Sequence, residues 1–205
     1  MTLPNDSILV TPGTGATVAT QLVDSKEYQV MMEADYSGHI KGSRDGFLCF
    51  FTPATNAANR RVADLFNADA SKIVRIQGIW IIPTLTTITG VSIEFQTIRT
   101  SAVGTGGTAE TPRPLDTNQT ALDADITARS GATGGATESY IYYRSYFNND
   151  ETNATAGIMA YLNQLPVISD KVVEIVLRQN QGILLKQGAS GTVGLTGALI
   201  YFTVE

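Results

Sequence analysis

The chain has 205 residues, of which 43% are hydrophobic and 16% charged, and its formal net charge is −5. This length suits one domain with a sizeable core, and the low charge leaves a neutral polar surface, as expected of a chain packed against copies of itself or other proteins. The acidic balance argues against nucleic-acid wrapping, which needs clustered Lys and Arg, and no apolar run is long enough to span a membrane.

The N-terminal segment 1–30 is rich in Thr and Gly with short apolar patches. It is predicted to be an arm over an adjacent subunit or an edge strand of the same sandwich, and residues 31–205 are predicted to form a single β-sandwich domain. His39, the only histidine, lies among turn residues in SGHIKG. A Ser–His–Asp triad would have to use it, but no GxSxG motif accompanies it, and one histidine cannot supply the ligand pair of an HExxH site. We therefore expect a solvated loop histidine.

The segment GFLCFFTP (46–53) predicts the first long strand. Its Cys49 is the only cysteine of the chain, which excludes an internal disulfide and a multi-cysteine metal site and predicts a small buried apolar residue. The next segment, ANRRVADLF (58–66), predicts a short helix. It contains Arg60 and Arg61, the only adjacent basic pair.

The segments KIVRIQGIWIIP (72–83) and GVSIEFQTIRT (90–100) predict two long strands from their period-two alternation. In the second strand, Ile93 and Phe95 belong to the buried face and Glu94 to the wetted face. The first strand is predicted to end at Pro83, where a ladder donor is lost. Its buried face is predicted to carry Val74, Ile76, Trp80 and Ile82, with Arg75 and Gln77 on the other face.

The glycine- and threonine-rich run RTSAVGTGGTAETPRPLD (99–116) raises the question of a phosphate cradle. A P-loop requires a GK[ST] ending, and this run has no lysine. A dinucleotide-binding turn requires a third glycine and a following helix, but Gly104 and Gly106 are followed by Ala109 and then by two prolines. The run is predicted to be an exposed connection between two strands.

The segment TNQTALDADITA (117–128) predicts a second short helix with Thr117 as its N-cap. Asp123 and Asp125 lie two residues apart, so an extended backbone would place both carboxylates on one face, as a general acid–base pair or a calcium site requires. The complete D-x-D-x-D-G loop is missing, and hydrated acidic turns are the main expectation there and at NNDETN (148–153).

The segment SYIYYRSYFNN (139–149) is aromatic on both faces and predicts a central strand. Tyr140, Tyr142 and Tyr146 are predicted to share one side and to be interface residues, because their rings fill a subunit boundary while their hydroxyls find partners. The alternative is a stacking platform for sugars or bases. Arg144 is the only basic residue of the segment.

Three further segments complete the predicted strands: KVVEIVLRQ (171–179), GILLKQ (182–187) and GALIYFTVE (197–205). Strands at regular spacing with turn residues between them predict an all-β fold, an antiparallel β-sandwich of jelly-roll-like type with one or two short helices. No catalytic, cofactor-binding or metal-binding residue is assigned, and no enzyme activity is expected.

Four stretches carry a family likeness: DLFNADASKIVRIQGIWIIP, GVSIEFQTIRTSAVGTGGTAETPRPLD, VLRQNQGILLKQ and ALIYFTVE. They lie within about residues 64–116 and 174–205 and resemble structural proteins of tailed-bacteriophage virions, particularly small β-sandwich proteins that decorate or cement the head. The resemblance implies a non-enzymatic virion component, made in the host cytoplasm, that stabilises the assembled capsid. The implied partners are the chain itself, as a homo-oligomer and in the simplest case a trimer, and the major capsid protein or other virion proteins. Nucleic acid and membranes are not among them.

Two other function classes remain open. A carbohydrate- or receptor-binding module of the tail-fibre or lectin-like type rests on the tyrosine-rich strand and the Asp-containing loops. A sandwich-type hydrolase rests on His39 or on the pair Asp123 and Asp125. Glycan binding that is lost when Tyr142 is replaced would support the binding module. Hydrolysis that is lost when His39, Asp123 and Asp125 are replaced would support the hydrolase.

Overall fold

The computed structural model describes residues 20–23, 26–29, 44–84, 91–149, 160–161, 167–168, 171–172, 174–189 and 194–205. The chain divides into two compact units, Met1–Lys41 and Gly42–Glu205. In the first unit, β1 (Thr20–Val23) and β2 (Lys26–Gln29) pair antiparallel. The predicted division into an arm and a sandwich domain stays a prediction.

All regular secondary structure described in the second unit is β-strand. The strands are β3 (Asp45–Thr55), β4 (Arg61–Asn67), β5 (Val74–Thr84), β6 (Val91–Thr100), β7 (Thr108–Glu110), β8 (Arg113–Pro114), β9 (Ile126–Ser130), β10 (Glu138–Asn149), β11 (Ala160–Tyr161), β12 (Val167–Ile168), β13 (Lys171–Val172), β14 (Ile175–Leu177), β15 (Gln181–Gln187) and β16 (Leu195–Val204). A search of the described residues for a helix long and apolar enough to cross a membrane finds none.

The strands form two antiparallel sheets that pack against each other. Sheet I has the order β10-β6-β15-β4-β9-β7, and sheet II has the order β11-β5-β16-β3-β8, with β14 also paired to β5. Strands β12 and β13 form a separate pair. Successive strands from β3 to β6 alternate between the sheets, and so do β14 to β16. This arrangement confirms the predicted all-β antiparallel sandwich.

The space between the sheets is filled with apolar side chains from both inner faces. Phe47 and Phe202 stack within sheet II with ring centroids 5.6 Å apart. The buried side chains of the core include Cys49, Phe51, Leu65, Val74, Ile76, Ile79, Ile81, Ile93, Phe95, Ile183, Leu185 and Ile200. Each fully buried large side chain contributes about 1.5–3 kcal/mol relative to exposure, so this layer is the main source of stability.

Strand β5 departs from the predicted alternation halfway along its length. A register shift against β16 leaves Gln77 as an extra residue, which is a β-bulge. Beyond it, Ile79 and Ile81 are fully buried, whereas Trp80 and Ile82 are only partly buried. The prediction that Trp80 and Ile82 share the buried face is therefore wrong, because one extra residue exchanges the two faces of the strand.

The other predicted face of β5 holds an ion-pair network. Arg75 donates to Glu205 Oε1 at 2.7 Å and to Glu174 Oε2 at 3.1 Å. Gln77 donates to Glu174 Oε1 at 2.9 Å, and Arg44 pairs with Glu205 at 2.9 Å. The predicted placement of Arg75 and Gln77 on the face opposite Val74 and Ile76 is confirmed, and Arg75 is buried within this network.

The helix predicted over residues 58–66 is wrong. Asn59 has a φ of 59° within a turn in which Arg60 N–H donates to Ala57 C=O, and β4 follows. Both faces of β4 are buried, so its apolar residues recur at spacings that mimic a helical stripe.

The helix predicted over residues 117–128 is also wrong. Asp116 accepts hydrogen bonds from the amides of Asn118 and Gln119, and Asp123 Oδ1 accepts one from the amide of Asp125. These Asp-centred turns provide backbone partners that a helix would otherwise supply. Strand β9 begins directly after the second turn.

The segment 139–149 is an extended strand, but its predicted central position is wrong. Strand β10 ends sheet I and pairs only with β6 among the described residues. Two register shifts interrupt this pairing, one between Glu138 and Tyr140 and one between Ile141 and Tyr143. Tyr140, Tyr142 and Tyr146 therefore lie along an irregular sheet edge.

Candidate functional site

Two glycine-rich connections of sheet I pack against each other on the side of the sheet that faces away from sheet II. The first, 101–107, joins β6 to β7, and the second, 131–137, joins β9 to β10. Thr105 N–H donates to Gly134 C=O at 2.8 Å, and Thr133 N–H donates to Thr105 C=O at 3.0 Å. We call these two connections together the flap.

The glycines of the flap serve its own backbone. Gly106, Gly107, Gly131 and Gly135 have φ values of 71°, 65°, 62° and 82°, a region that L side chains rarely adopt. A Cβ on Gly135 would lie 2.7 Å from the carbonyl oxygen of Val103. The predicted interstrand connection is confirmed, and most of it is exposed, but Gly104 is buried.

Gly104 lies against a buried carboxylate. Asp64 is on β4, between Ala63 and Leu65, whose side chains point into the core, so its own side chain points to the flap. Its relative exposure is 1%. A Cβ on Gly104 would lie only 2.7 Å from Asp64 Oδ2. The flap backbone therefore excludes solvent from this carboxylate.

The Asp64 carboxylate lacks the partners that usually accompany a buried charge. The Gly104 amide faces it closely enough to act on its pKa, but neither oxygen has a partner at hydrogen-bond geometry. Burial raises the pKa of Asp64 from 3.8 to about 6, against smaller lowering effects of the Gly104 amide and the guanidinium groups of Arg61 and Arg129. This buried carboxylate is not evident from the sequence, because Asp64 lies inside an apolar run that favours a helical interpretation.

The two arginines beside Asp64 are hydrogen-bonded to the flap. Arg129 lies directly across from Asp64 on β9, and its Nη1 donates to Gly106 C=O at 3.4 Å. Arg61 Nη2 donates to Ala136 C=O at 3.2 Å. Arg61 Nη1 and Arg129 Nε are buried without a partner. Arg61 and Arg129, the two cations that would stabilise an ionised Asp64, are thus hydrogen-bonded to the backbone of the flap.

A surface groove of about 480 Å³ runs beside the flap and is lined in part by Arg60, Arg61 and Lys186. Glu138 partly neutralises these cations, with Lys186 Nζ at 2.9 Å and Arg61 Nη2 at 3.4 Å from its carboxylate. The adjacent basic pair seen in the sequence is therefore part of a mixed-charge groove.

Asp123 and Asp125 are brought together with a third carboxylate, that of Asp69, and one ligand atom of each lies within 4.8 Å of the others. The turn after β4 meets the turn before β9, where Ala68 N–H donates to Asp125 C=O at 2.9 Å. Sequence reasoning missed Asp69 because it lies more than fifty residues away.

Carboxylate oxygens of this acidic cluster already accept hydrogen bonds from neighbouring residues. Asp69 Oδ1 accepts from Ser71 N–H at 2.6 Å, from the Ser71 hydroxyl and from Lys72 N–H, and the hydrogen bonds from Ser71 lower the pKa of Asp69. Asp123 Oδ1 accepts from Asp125 N–H. The cluster has the oxygen donors that calcium prefers, but its geometry is also that of linked acidic turns, and we assign no metal to it.

The three predicted interface tyrosines do not share one face. Tyr140 lies opposite Arg99 and Tyr146 lies opposite Glu94, on the two different faces of β6. The bulge at Tyr142 reverses the alternation between them, so the prediction of a common side is wrong. Tyr140 and Tyr146 are 51% and 62% exposed, and Tyr142 packs against the core.

Tyr140, Tyr142 and Arg99 form a compact group at the end of the sandwich. The two rings meet edge to face at 4.9 Å, and Arg99 Nη1 donates to the Tyr142 hydroxyl at 2.8 Å. The Arg99 guanidinium also lies 6.0 Å from the Tyr140 ring centroid, within cation–π range. The Tyr142 hydroxyl has thus found a partner within the chain.

Other predicted site residues lie elsewhere. Cys49 is buried, as predicted, and burial, reinforced by Glu110, raises the pKa of its thiol to about 12. His39 and most of the acidic turn 148–153 lie outside the described residues.

No protein-family model matches the chain, and neither curated proteins nor solved structures give a match.

Proposed function

We propose that the chain is a non-enzymatic structural component of a tailed-phage virion, which self-associates and stabilises the assembled capsid as a decoration or cement protein. The observation that carries the proposal is the exposed edge strand β10, which presents Tyr140, Ile141 and Tyr146 outward from a filled sandwich. Exposed aromatic side chains are enriched where proteins contact proteins.

The filled interior supports a contact function. Small-molecule sites are usually concave, mostly apolar pockets with a few converging polar groups. In the part of the chain that the structure describes, two cavities are open surface grooves, one of about 590 Å³ beside Arg44 and Tyr201 and one of about 480 Å³ beside Arg61. The apolar volume between the sheets is occupied by side chains.

The form of the β10 edge also fits a specific contact. A long, flat edge strand can pair with further strands and so promote aggregation. In β10, two register shifts disturb the hydrogen-bond ladder with β6, so this strand is a less regular edge. Contacts through side chains then determine the partner. A stable interface of this kind buries on the order of 1,600 Å², and a protein that binds only the assembled shell stabilises that state at every site it occupies.

The proposal is tested with purified particles and purified chain. Mass spectrometry of the particles is expected to find the chain at tens to hundreds of copies, and chain added to particles that lack it is expected to bind. The double variant Tyr140→Ala/Tyr146→Ala is expected to weaken binding at least tenfold. Phe50→Ala on β3 is the matched control, since Phe50 is 50% exposed on sheet II. Absence of the chain from particles would refute the proposal.

A carbohydrate- or receptor-binding module is the second candidate function. The observation in its favour is the pair Tyr140 and Tyr142 beside Arg99, because an exposed ring next to a cation suits stacking against a sugar. Binding on a glycan array that is lost in Tyr142→Ala would support this function. Arrays without binding would count against it.

A further inference from the structure

We propose that the flap is a proton-controlled cover over Asp64, closed while this carboxyl group is protonated and released when it ionises. The proposal is independent of the virion function. It rests on the contact between Gly104 and Asp64, on the missing hydrogen-bond partners of the carboxylate, and on the bonds of two arginines to the flap.

The closed flap leaves an ionised Asp64 without adequate solvation. Its side chain is almost fully buried, and the Gly104 backbone lies too close to admit even a methyl group. Among the described residues, the only backbone amide that acts on its pKa is that of Gly104, and a buried carboxylate with so few hydrogen-bond donors is strongly disfavoured relative to one in water. Opening the flap restores water to the carboxylate, so ionisation favours the open form.

The neighbouring cations make closure and ionisation compete. Arg61 and Arg129 each donate to a flap carbonyl, that of Ala136 and that of Gly106. An ionised Asp64 attracts the same two guanidinium groups. The arginines therefore hold the flap best when Asp64 is neutral.

No other titratable group within the flap accounts for such a response. The flap sequences, SAVGTGG and GATGGAT, contain no ionisable side chain. Of the strands around Asp64, β4 contributes Arg61 and β9 contributes Arg129. Strand β15 places Leu184 beside Asp64, and its Lys186 is paired with Glu138. Outside the flap, Glu138 also contacts Arg61, at 3.4 Å, and Glu110 accepts a hydrogen bond from Ser130 on β9. Arginine and lysine keep their charge in the neutral and mildly acidic range, so Asp64 is the buried carboxyl group that faces both arginines.

The direction and size of the response follow from linkage. A carboxyl group whose pKa is about 6 when covered and near 3.8 when exposed favours the closed flap at low pH, and this preference is lost as the pH rises through 6. With these two values, the opening equilibrium of the flap rises about tenfold between about pH 5 and about pH 7.5.

Hydrogen–deuterium exchange of the full chain tests the proposal. Protection factors, corrected for the intrinsic pH dependence of exchange, are measured for peptides covering 101–107 and 131–137. We expect protection in the flap to fall about tenfold from pH 5 to pH 7.5, with peptides of β15 unchanged. In Asp64→Asn, which keeps the side-chain shape without the charge, flap protection is expected to be the same at both pH values.

Two glycine variants separate flap closure from general packing. Gly104→Ala is expected to leave the flap unprotected at both pH values, because its Cβ would meet Asp64. Gly134→Ala is the matched control, since its Cβ would meet only the Thr105 hydroxyl, at 3.3 Å. This control is expected to keep the pH response of the unmodified chain.

A wild-type flap with equal protection at both pH values would overturn the proposal, and so would an Asp64→Asn variant that loses protection as the wild type does. If that variant does not fold, carbon NMR of the Asp64 carboxyl in the unmodified chain decides the matter. A titration midpoint near 6 is expected there, and a midpoint near 4 would overturn the proposal.

Discussion

The two faces of strand β4 are both buried, but by different means. On one face, Ala63 and Leu65 pack against apolar side chains between the sheets. On the other face, Asp64 lies under the backbone of the flap without a hydrogen-bond partner. Burial of Leu65 stabilises the fold at any pH, whereas burial of Asp64 costs more free energy when the carboxyl is ionised than when it is protonated. One strand thus carries a permanent contact and a conditional one.

The largest expected effect is on the permanent face. Leu65→Ala removes buried methyl groups and leaves a cavity between the sheets, which costs about 2–5 kcal/mol. Urea unfolding at pH 5 and at pH 7.5 should show a loss of similar size. A loss that depends strongly on pH would mean that the two faces of β4 are not independent.

On the conditional face, Asp64→Asn is expected to stabilise the chain. The pKa of Asp64 is raised in the folded chain, so the wild type loses stability as the pH rises from about 4 through 6. At about 1.4 kcal/mol for each unit of pKa, the difference between 3.8 and about 6 corresponds to at most about 3 kcal/mol near neutral pH. The advantage of the variant should disappear below pH 4. A variant that is less stable than wild type at pH 7.5 would contradict this expectation.

A smaller effect is expected from Arg129→Met. The guanidinium of Arg129 lowers the pKa of Asp64, so its loss should move the midpoint of flap opening to higher pH by less than about one unit. The midpoint is read from flap exchange measured over a series of pH values. A shift to lower pH would contradict the expectation that Arg129 stabilises the ionised carboxylate.

The smallest effect is expected at Cys49, which lies on β3 in the same core cluster as Ala63 and Leu65. Its thiol is buried and its pKa is raised to about 12, so a thiol reagent should react slowly with the native chain. Between pH 5 and pH 7.5, where the flap is expected to open, the labelling rate of Cys49 should not rise in step with flap opening. It should behave as the rate of a buried thiol that becomes accessible only when the whole chain unfolds. Fast labelling above pH 6 would mean that the flap and the core open together.

The sequence was sufficient where a strand has one buried and one wetted face. Strand β6 was predicted for this reason, and Ile93 and Phe95 lie in the core as expected. It was insufficient where a backbone irregularity exchanges faces, as at Gln77 in β5 and Tyr142 in β10. Single bulges leave little trace in composition, although the glycine after Gln77 is a residue often found at such positions.

The flap site was beyond sequence reasoning for a related reason. The run VADLF in β4 is buried on both faces, and its pattern of apolar residues therefore favours a helical interpretation. That interpretation does not predict that Asp64 points away from the core and lies under the flap. Gly104, which packs against Asp64, belongs to a glycine-rich run whose composition suggests a phosphate-binding loop instead. Only the pairing of β4 with β9, and of the two connections in the flap, brings these residues together.

The central claim is that a sandwich filled by its own side chains acts through its outer surface. Electron cryomicroscopy of the assembled particle tests this most directly. We expect repeated densities of the size of this sandwich on the head, with the β10 edge carrying Tyr140 and Tyr146 in contact with a neighbouring subunit. If the heads contain all their other proteins in full number but carry no such density, the claim is contradicted.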